Sequence, residues 1–368
     1  MITKGDDYPL HQTAEPIAYS GTDRNFYDRY FFNGYSNTGD VFFALGFGIY
    51  PHLNIKDSSF CVVLDGVQHN LRASTVLDME RLDLNVGPIS IDVVKPLEVL
   101  DISVNDEKSG IKAQIRFLKR CPVVKEPRFT HRVGPRTQFD YTRMTQNGSY
   151  EGFIEINGKR IDLKYSESCG TRDRSWGVRM IGERDQQPTI PEPDLQLFWL
   201  WSPVNFDGFS TLYGTSADKE GLAWHDNMVI IPQDESKDIE RLVSPTIKLY
   251  NYKPGTRHLE NTQLEARDNK GELITLTMTP RYNFYMSGLG YFHPEWGHGL
   301  HKGRDACTYD SITLSDADPL DPNHRHIQAF VDVVFNRSGQ SFNGVGVLEQ
   351  LIIGPHLPSG LGKDPVLV

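Results

Sequence analysis

The chain has 368 residues, 38% of them apolar and 11% aromatic, and carries a formal net charge of −10. That length exceeds one ordinary domain and fits two of roughly 150–200 residues, each with enough apolar material for a packed core. An acidic balance without any basic run argues against nucleic acid and anionic membrane surfaces as partners, and leaves a neutral or apolar small molecule.

The opening stretch, MITKGDDYPLHQTAEP, has no apolar leader. No segment reaches the ~20 apolar residues of a membrane-spanning helix, so the expectation is a soluble, cytoplasmic protein. Self-association as a homodimer is compatible with the sequence but not dictated by it. The cysteines Cys61, Cys121, Cys169 and Cys307 are scattered without a C-x-x-C pair, which speaks against a disulfide framework or a Cys-rich zinc site. The sequons at Asn147 and Asn336 are read as chance matches.

Taken in chain order, the dominant period is two. GDVFFALGFGIYP (Gly39–Pro51) reads as an aromatic strand, and Tyr50 at its end could offer a hydroxyl to a ligand. Thr75–Leu84, TVLDMERLDL, could hold one short helical turn. Asp65-Gly66, Asn157-Gly158, Asp207-Gly208 and Asn269-Lys270-Gly271 are hairpin signals, because Asn, Asp and Gly tolerate positive φ. Cys169–Arg179, CGTRDRSWGVR, is a strand in which Arg172, Arg174 and Trp176 share one face, with Asp173 on the other. Two readings follow. Arginines lying beside an indole can plug a barrel end, or Asp173 and Arg174 can act on a ligand.

RDQQPTIPEPD (Arg184–Asp194) has three prolines and no alternation, and reads as a linker between domains 1–184 and 195–368. FWLWSP follows, with Trp199 and Trp201 on one strand face as core filling or pocket lining; Tyr213 comes next as a further hydroxyl. GLAWHDNMVI brings His225 beside Asp226. Adjacent strand residues point to opposite faces, so the two are not expected to touch, and His225 stands alone as a candidate acid or base. GELITLTMTPRYNFYM, HIQAFVDVVF and GVGVLEQLIIG are further strands. Between the first two lies the loop GYFHPEWGHGLHKGR, with His293, His298 and His301. No periodicity brings these three onto one face, so no metal is assigned. His298, between two glycines, is the candidate acid or base, and His293 a candidate binding residue. Phosphate-binding glycine loops, nucleophile elbows and kinase signatures are missing, so no cofactor is implied. Many strands with short turns predict an all-β protein of two tandem barrels.

GTRDRSWGVR, LFWLWSPVNFDG and GYFHPEWGHG together resemble the carotenoid 1,2-hydratase/AttH-like superfamily, over about Tyr27 to Gly354. The resemblance implies two lipocalin-like β-barrel domains in tandem. It also implies a cofactor-free enzyme that hydrates, isomerises or cyclises a lipophilic, unsaturated substrate by proton transfer. The alternative is a non-catalytic carrier of such a molecule. The hydratase pattern, approximately His-Asp-His-Asn-Trp-Gly, aligns with Arg172, Asp173, Arg174, Ser175, Trp176 and Gly177. Asp173, Trp176 and Gly177 match, but both histidines are replaced by arginine. An arginine stays protonated and cannot donate to an alkene, so the substrate expected here carries an oxygen function. The resemblance further suggests a site near the junction of the barrels, with His298 in reach of a cavity lined by Trp176 or Trp201.

Overall fold

In the computed structural model the strands begin where aromatic and β-branched alternation begins. The structure describes residues 1–11, 14, 16–19, 21, 23–183, 187 and 196–363. The linker expected at Arg184–Asp194 lies, apart from Gln187, outside the described residues. Among those described there is no α-helix, only 3-10 turns of three or four residues, and no helix is long and apolar enough to cross a membrane.

The contacts divide the chain into two units, Met1–Glu192 with Ser287–Thr313, and Pro193–Met286 with Leu314–Val368. Each is a lipocalin-like β-barrel. Two contiguous halves do not describe this arrangement, because Ser287–Thr313 leaves the second half of the chain and packs in the first unit. Main-chain pairing fixes it there: Ala306–Thr313 runs antiparallel to Val67–Val76, from Ala306 opposite Ser74 to Thr313 opposite Val67.

The first sheet then continues through Ile55–Leu64, Val41–Tyr50, Phe26–Ser36, Ser168–Val178, Arg136–Ile156, Ile111–Lys119, Val99–Asp106 and Ile89–Lys95. Its last strand, Asn85–Val86, comes back against Ile55–Leu64 and Val67–Val76 and rolls the sheet up. Asp65-Gly66 and Asn157-Gly158 both adopt positive φ and make the expected two-residue hairpins. Thr75–Leu84 does not form a helical turn. Asp78 and Met79 have φ of 53° and 62°, left-handed backbone that a right-handed helix cannot include.

In the second unit the order is Glu240–Arg241, Ala223–Pro232, Phe209–Ala217, Leu197–Asn205, Gln340–Ile353, Ile327–Arg337, Leu273–Tyr285, Leu259–Arg267 and Val243–Tyr252. Its core takes Phe198, Leu200, Val204, Tyr213, Met228 and Ile230 from the inward face. Trp199 and Trp201 therefore point outward, as period two requires.

Period two also decides what the central strands of the first unit do. Tyr30 and Phe32 of Phe26–Ser36, and Leu45, Phe47 and Ile49 of Val41–Tyr50, enter the barrel core. The alternate residues are buried too: all ten residues of Val41–Tyr50 are buried. These strands thus carry buried side chains on two faces, and each face holds its own set of charges.

Candidate active site on the outer face of the first barrel

The inner face holds the plug. Asp28, Tyr30 and Phe32 lie opposite Trp176, Arg174 and Arg172, so all six side chains project to one side. Arg172 donates to both carboxylate oxygens of Asp7, at 2.5 and 3.1 Å, and to Gln146 at 2.9 Å. Asp7 belongs to the turn Lys4–Asp7 and is fully buried. Its second oxygen also accepts from Leu97 N–H, and its carbonyl from Tyr30 O–H. Arg174 meets Asp28 at 2.6 Å and lies 3.8 Å over the Tyr30 ring. His11 stacks on Trp176 at 3.6 Å and bridges Asp28 and Asp6. The N-terminal turn thus closes the barrel on top of two buried ion pairs, which is what an arginine-bearing strand needs if its charges are to be buried.

The outer face holds a different cluster. Tyr27 and Arg29 project away from the core, as do Asp173 and Ser175. Arg29 is buried and its Nη1 reaches the His298 ring, 2.9 Å from Nδ1 and 2.7 Å from Nε2. Arg179 Nη2 lies 3.3 Å from the same Nδ1, with its guanidinium 4.5 Å over Tyr27. His298 Nε2 lies between the Leu289 carbonyl, 2.9 Å away and able only to accept, and Arg29 Nη1, 2.7 Å away and able only to donate; in the tautomer that bonds Leu289 the hydrogen is on Nε2. Nδ1 then presents its lone pair to two guanidiniums. Tyr291 stands edge-on to the imidazole at 4.4 Å.

Asp57 completes the group. It accepts from Tyr50 O–H at 3.0 Å and from Gly299 N–H at 2.7 Å. Burial pushes its carboxyl above the usual range, although Arg29, Gly299 and Tyr50 pull the other way. Burial likewise raises Tyr27 to about 12 despite Arg179 beside it. Two glycines make room. A Cβ at Gly46 would stand 2.2 Å from Arg29 Nη2, and one at Gly48 2.2 Å from the Tyr50 hydroxyl oxygen. The loop that brings His298 is pinned at both flanks, since Arg72 donates to the Ser287 carbonyl and Ser74 to that of Leu300. His298, Arg179, Tyr291 and Asp57 all keep partial exposure. Such an array can hold an oxygen that gains negative charge and move a proton beside it.

Of the residues singled out from the sequence, His298, Tyr50 and Asp173 lie on this outer face, Asp173 beside Tyr27 and Arg143. Arg174 and Trp176 do not. They face the barrel interior, so His298 shares no cavity with Trp176: the two are on opposite sides of one strand layer. His293 is taken up locally, its Nδ1 accepting from Glu295 and Trp296 N–H. Among the described residues no group of histidine, cysteine and carboxylate side chains has the arrangement of a metal site. In the second unit Tyr213 sits in the core and His225 is buried on the outward side. Trp199 and Trp201 share that unit's outward face with a pair the sequence did not disclose. His326 Nε2 meets Glu349 at 2.6 Å, Gln328 donates to the other Glu349 oxygen at 2.8 Å, and Trp199 stands edge-on to His326.

Asp57, Arg29 and Arg179 were missed as well. The available signal was the DR pair inside the aromatic run FYDRYFF, where neighbouring charges must go to opposite faces of a strand with no polar face to spare.

A family model covers residues 2–362. The chain belongs to the family of unknown function DUF8625. No curated protein matches its sequence. Solved structures do match its fold. CghA in complex with Sch210972 superposes with a TM-score of 0.53 at 10% identity, over 89% of this chain and 89% of that one. An AttH candidate from Nitrosomonas europaea gives 0.53 at 11%, over 92% and 97%. Kievitone hydratase from Nectria haematococca gives 0.51 at 14%, over 94% and 97%. At these identities the likeness carries the fold, and the DUF8625 chain has the AttH-like, tandem-barrel fold that the sequence motifs suggested.

Proposed function

We propose that the protein is an enzyme acting on a lipophilic, unsaturated small molecule that bears an oxygen function. The reaction class is hydration/dehydration, isomerisation or cyclisation by proton transfer. One observation carries this reading: two guanidiniums, Arg29 and Arg179, converge on Nδ1 of His298 beside the raised carboxyl of Asp57. Kievitone hydratase, of like fold, is a hydratase by name, and CghA was solved with Sch210972.

In this reading the substrate oxygen enters between the guanidiniums and the imidazole. It takes over their N–H donors, and the charge that grows on it in the transition state is met by donors already in place. The same entry releases His298 Nδ1, which becomes the base. The Nε2–H bond to Leu289 keeps the ring in the tautomer that leaves Nδ1 free to accept. Asp57, with Tyr50 O–H on one oxygen, supplies or takes the second proton. Arg172 and Arg174 have no part in the chemistry, because their charges are spent on Asp7 and Asp28.

The test begins with mass spectrometry of the lipophilic molecules that co-purify with native protein. Each is then offered to wild type, Arg29→Gln and Arg179→Gln. The expected result is a product of altered unsaturation or ring count from wild type, with turnover at least ~10²-fold lower in the variants. A molecule returned unchanged by wild type would instead make this a carrier.

A further inference from the structure

One edge of the first sheet is open. Ala306–Thr313 ends that sheet beyond Val67–Val76, and the direction of its main chain follows from its neighbours. Leu77 N–H donates to the Asn54 carbonyl at 2.9 Å, so the odd-numbered residues of Val67–Val76 bond back toward Ile55–Leu64. The even-numbered ones, Gln68, Asn70, Arg72 and Ser74, therefore bond to Ile312, Asp310, Thr308 and Ala306, which stand opposite them. Cys307, Tyr309, Ser311 and Thr313 are left with their N–H and C=O groups aimed away from the sheet. All four residues are exposed, and among the described residues their main chain finds no further partner.

A free edge attracts other strands, and proteins ordinarily blunt it with shortness, bulges, lysine or proline. The other ends of the two sheets are blunted in this way. Asn85–Val86 and Glu240–Arg241 are two residues long, and the register of Val243–Tyr252 against Leu259–Arg267 shifts three times. Ala306–Thr313 instead pairs through all eight residues without a shift. Its sequence, ACTYDSIT, has no proline, glycine, lysine or arginine, and its threonines, tyrosine and isoleucine favour extended chain. Its one charge, Asp310, is tied to Arg72 at 2.6 Å.

We propose that this edge pairs with the same edge of a second copy of the chain, antiparallel about a two-fold axis through Tyr309, so that one sheet runs across a homodimer. The strand fits itself, and its residues select the register. An axis through Asp310 would set two carboxylates directly opposite each other, which is repulsive. An axis through Thr308 would bond only Cys307 and Tyr309. With Tyr309 on the axis, Cys307 stands opposite Ser311 and Tyr309 opposite its own copy, giving roughly six main-chain bonds. Asp310 then faces Thr308. The two tyrosines meet as a cross-strand aromatic pair, and each hydroxyl is already steadied 2.8 Å from His69 Nδ1. The proposal needs nothing from the reading of Arg29 and His298.

The experiment is sedimentation velocity of the full chain at rising concentration. Wild type should pass from one chain mass to two. Ser311→Pro removes an N–H that no bond within the chain uses, and by symmetry two main-chain bonds per dimer, so it should weaken the dimer roughly thirtyfold. Cys307→Lys sets a charge on the same edge and should weaken it as well; an unchanged circular dichroism spectrum verifies the fold of each variant. Register is read by cross-linking. The Ser311→Cys thiol would stand opposite Cys307 of the other copy, within disulfide reach, and should give a covalent dimer under a mild oxidant. Wild type should not, since its two Cys307 residues would lie about 14 Å apart. A wild type that stays at one chain mass at every concentration, a dimer left unweakened by both edge variants, or cross-linking as fast in wild type as in Ser311→Cys overturns the proposal.

Discussion

Asp28 and Arg29 are neighbours in sequence and strangers in space. One points into the barrel to Arg174, the other outward to His298. Burial alone would raise the Asp28 carboxyl, but Arg174, His11 and Arg81 together hold it below its usual range. A carboxyl lowered in the fold stabilises above its unfolded pKa, and this contribution is lost as pH falls through the folded value. Arg174→Ala should cost about 3–5 kcal/mol, because it removes the nearest charge partner of Asp28, a carboxylate with no access to water that would keep only His11 and Arg81. Calorimetric melting reads this loss; a melting curve unchanged by the substitution would refute the plug. His298→Gln should leave the melting temperature within a degree or two, since it removes contacts made at a half-exposed position. The shared face of Arg172, Arg174 and Trp176 was legible in the sequence, because a period of two needs no tertiary information. The identity of their partners was not. Asp7 lies 165 residues from Arg172, and nothing local in KGDD announces a carboxylate bound for a barrel interior.

At the scale of elements, the excursion Ser287–Thr313 matters most, for it delivers His298, Tyr291 and Gly299 to the outer face of the first barrel. Its reading as a loop was legible from Pro294 and its glycines. Its destination was not, since Ala306–Thr313 is an edge strand whose pairing with Val67–Val76 depends on register across more than two hundred residues. A side-chain tie supports that pairing: Arg72 meets Asp310 at 2.6 Å and Asn70 donates to the same carboxylate at 2.8 Å. Asp310 is half-exposed, so Asp310→Ala should cost only on the order of 1–2 kcal/mol. The loss should be local. Hydrogen exchange should quicken across 287–313, and turnover should fall with the looser placement of His298, while the second unit keeps its protection. Uniform quickening over the chain would argue against the excursion as a separate cooperative element.

Across the whole molecule, the two units should answer acid differently. In the second, burial holds His258 and His356 down to about 4. The unfolded chain takes up those protons near 6.5, so between pH 6.5 and 4 it binds more protons than the fold does, and stability falls as pH falls. For His258 alone the drop is worth about 3 kcal/mol. Asp226, raised by burial to about 6, works in the opposite sense and offsets part of the loss. In the first unit burial lowers His69 and His293 as well, but both are partly exposed, and the buried Asp28 gives way only below its unfolded value of about 4. Protection factors corrected for intrinsic exchange should therefore decline in the second unit before the first as pH is lowered, and His258→Gln should flatten the decline. The all-β class was legible at this scale from alternation and hairpin signals, and the number of barrels from the chain's length. The exchange of Ser287–Thr313 between halves was not, because chain order is silent on which sheet edge a strand will find.

The proposed proton-transfer role of Arg29, Arg179, His298 and Asp57 can be read by incubating the lipophilic molecule that co-purifies with the protein in D₂O and following deuterium on its carbon atoms. Wild type should place solvent deuterium on carbon in step with product formation, and His298→Gln should do so roughly 10²–10⁴-fold more slowly while melting normally. Carbon-bound deuterium appearing at the same rate in both proteins, or in neither, would rule this role out.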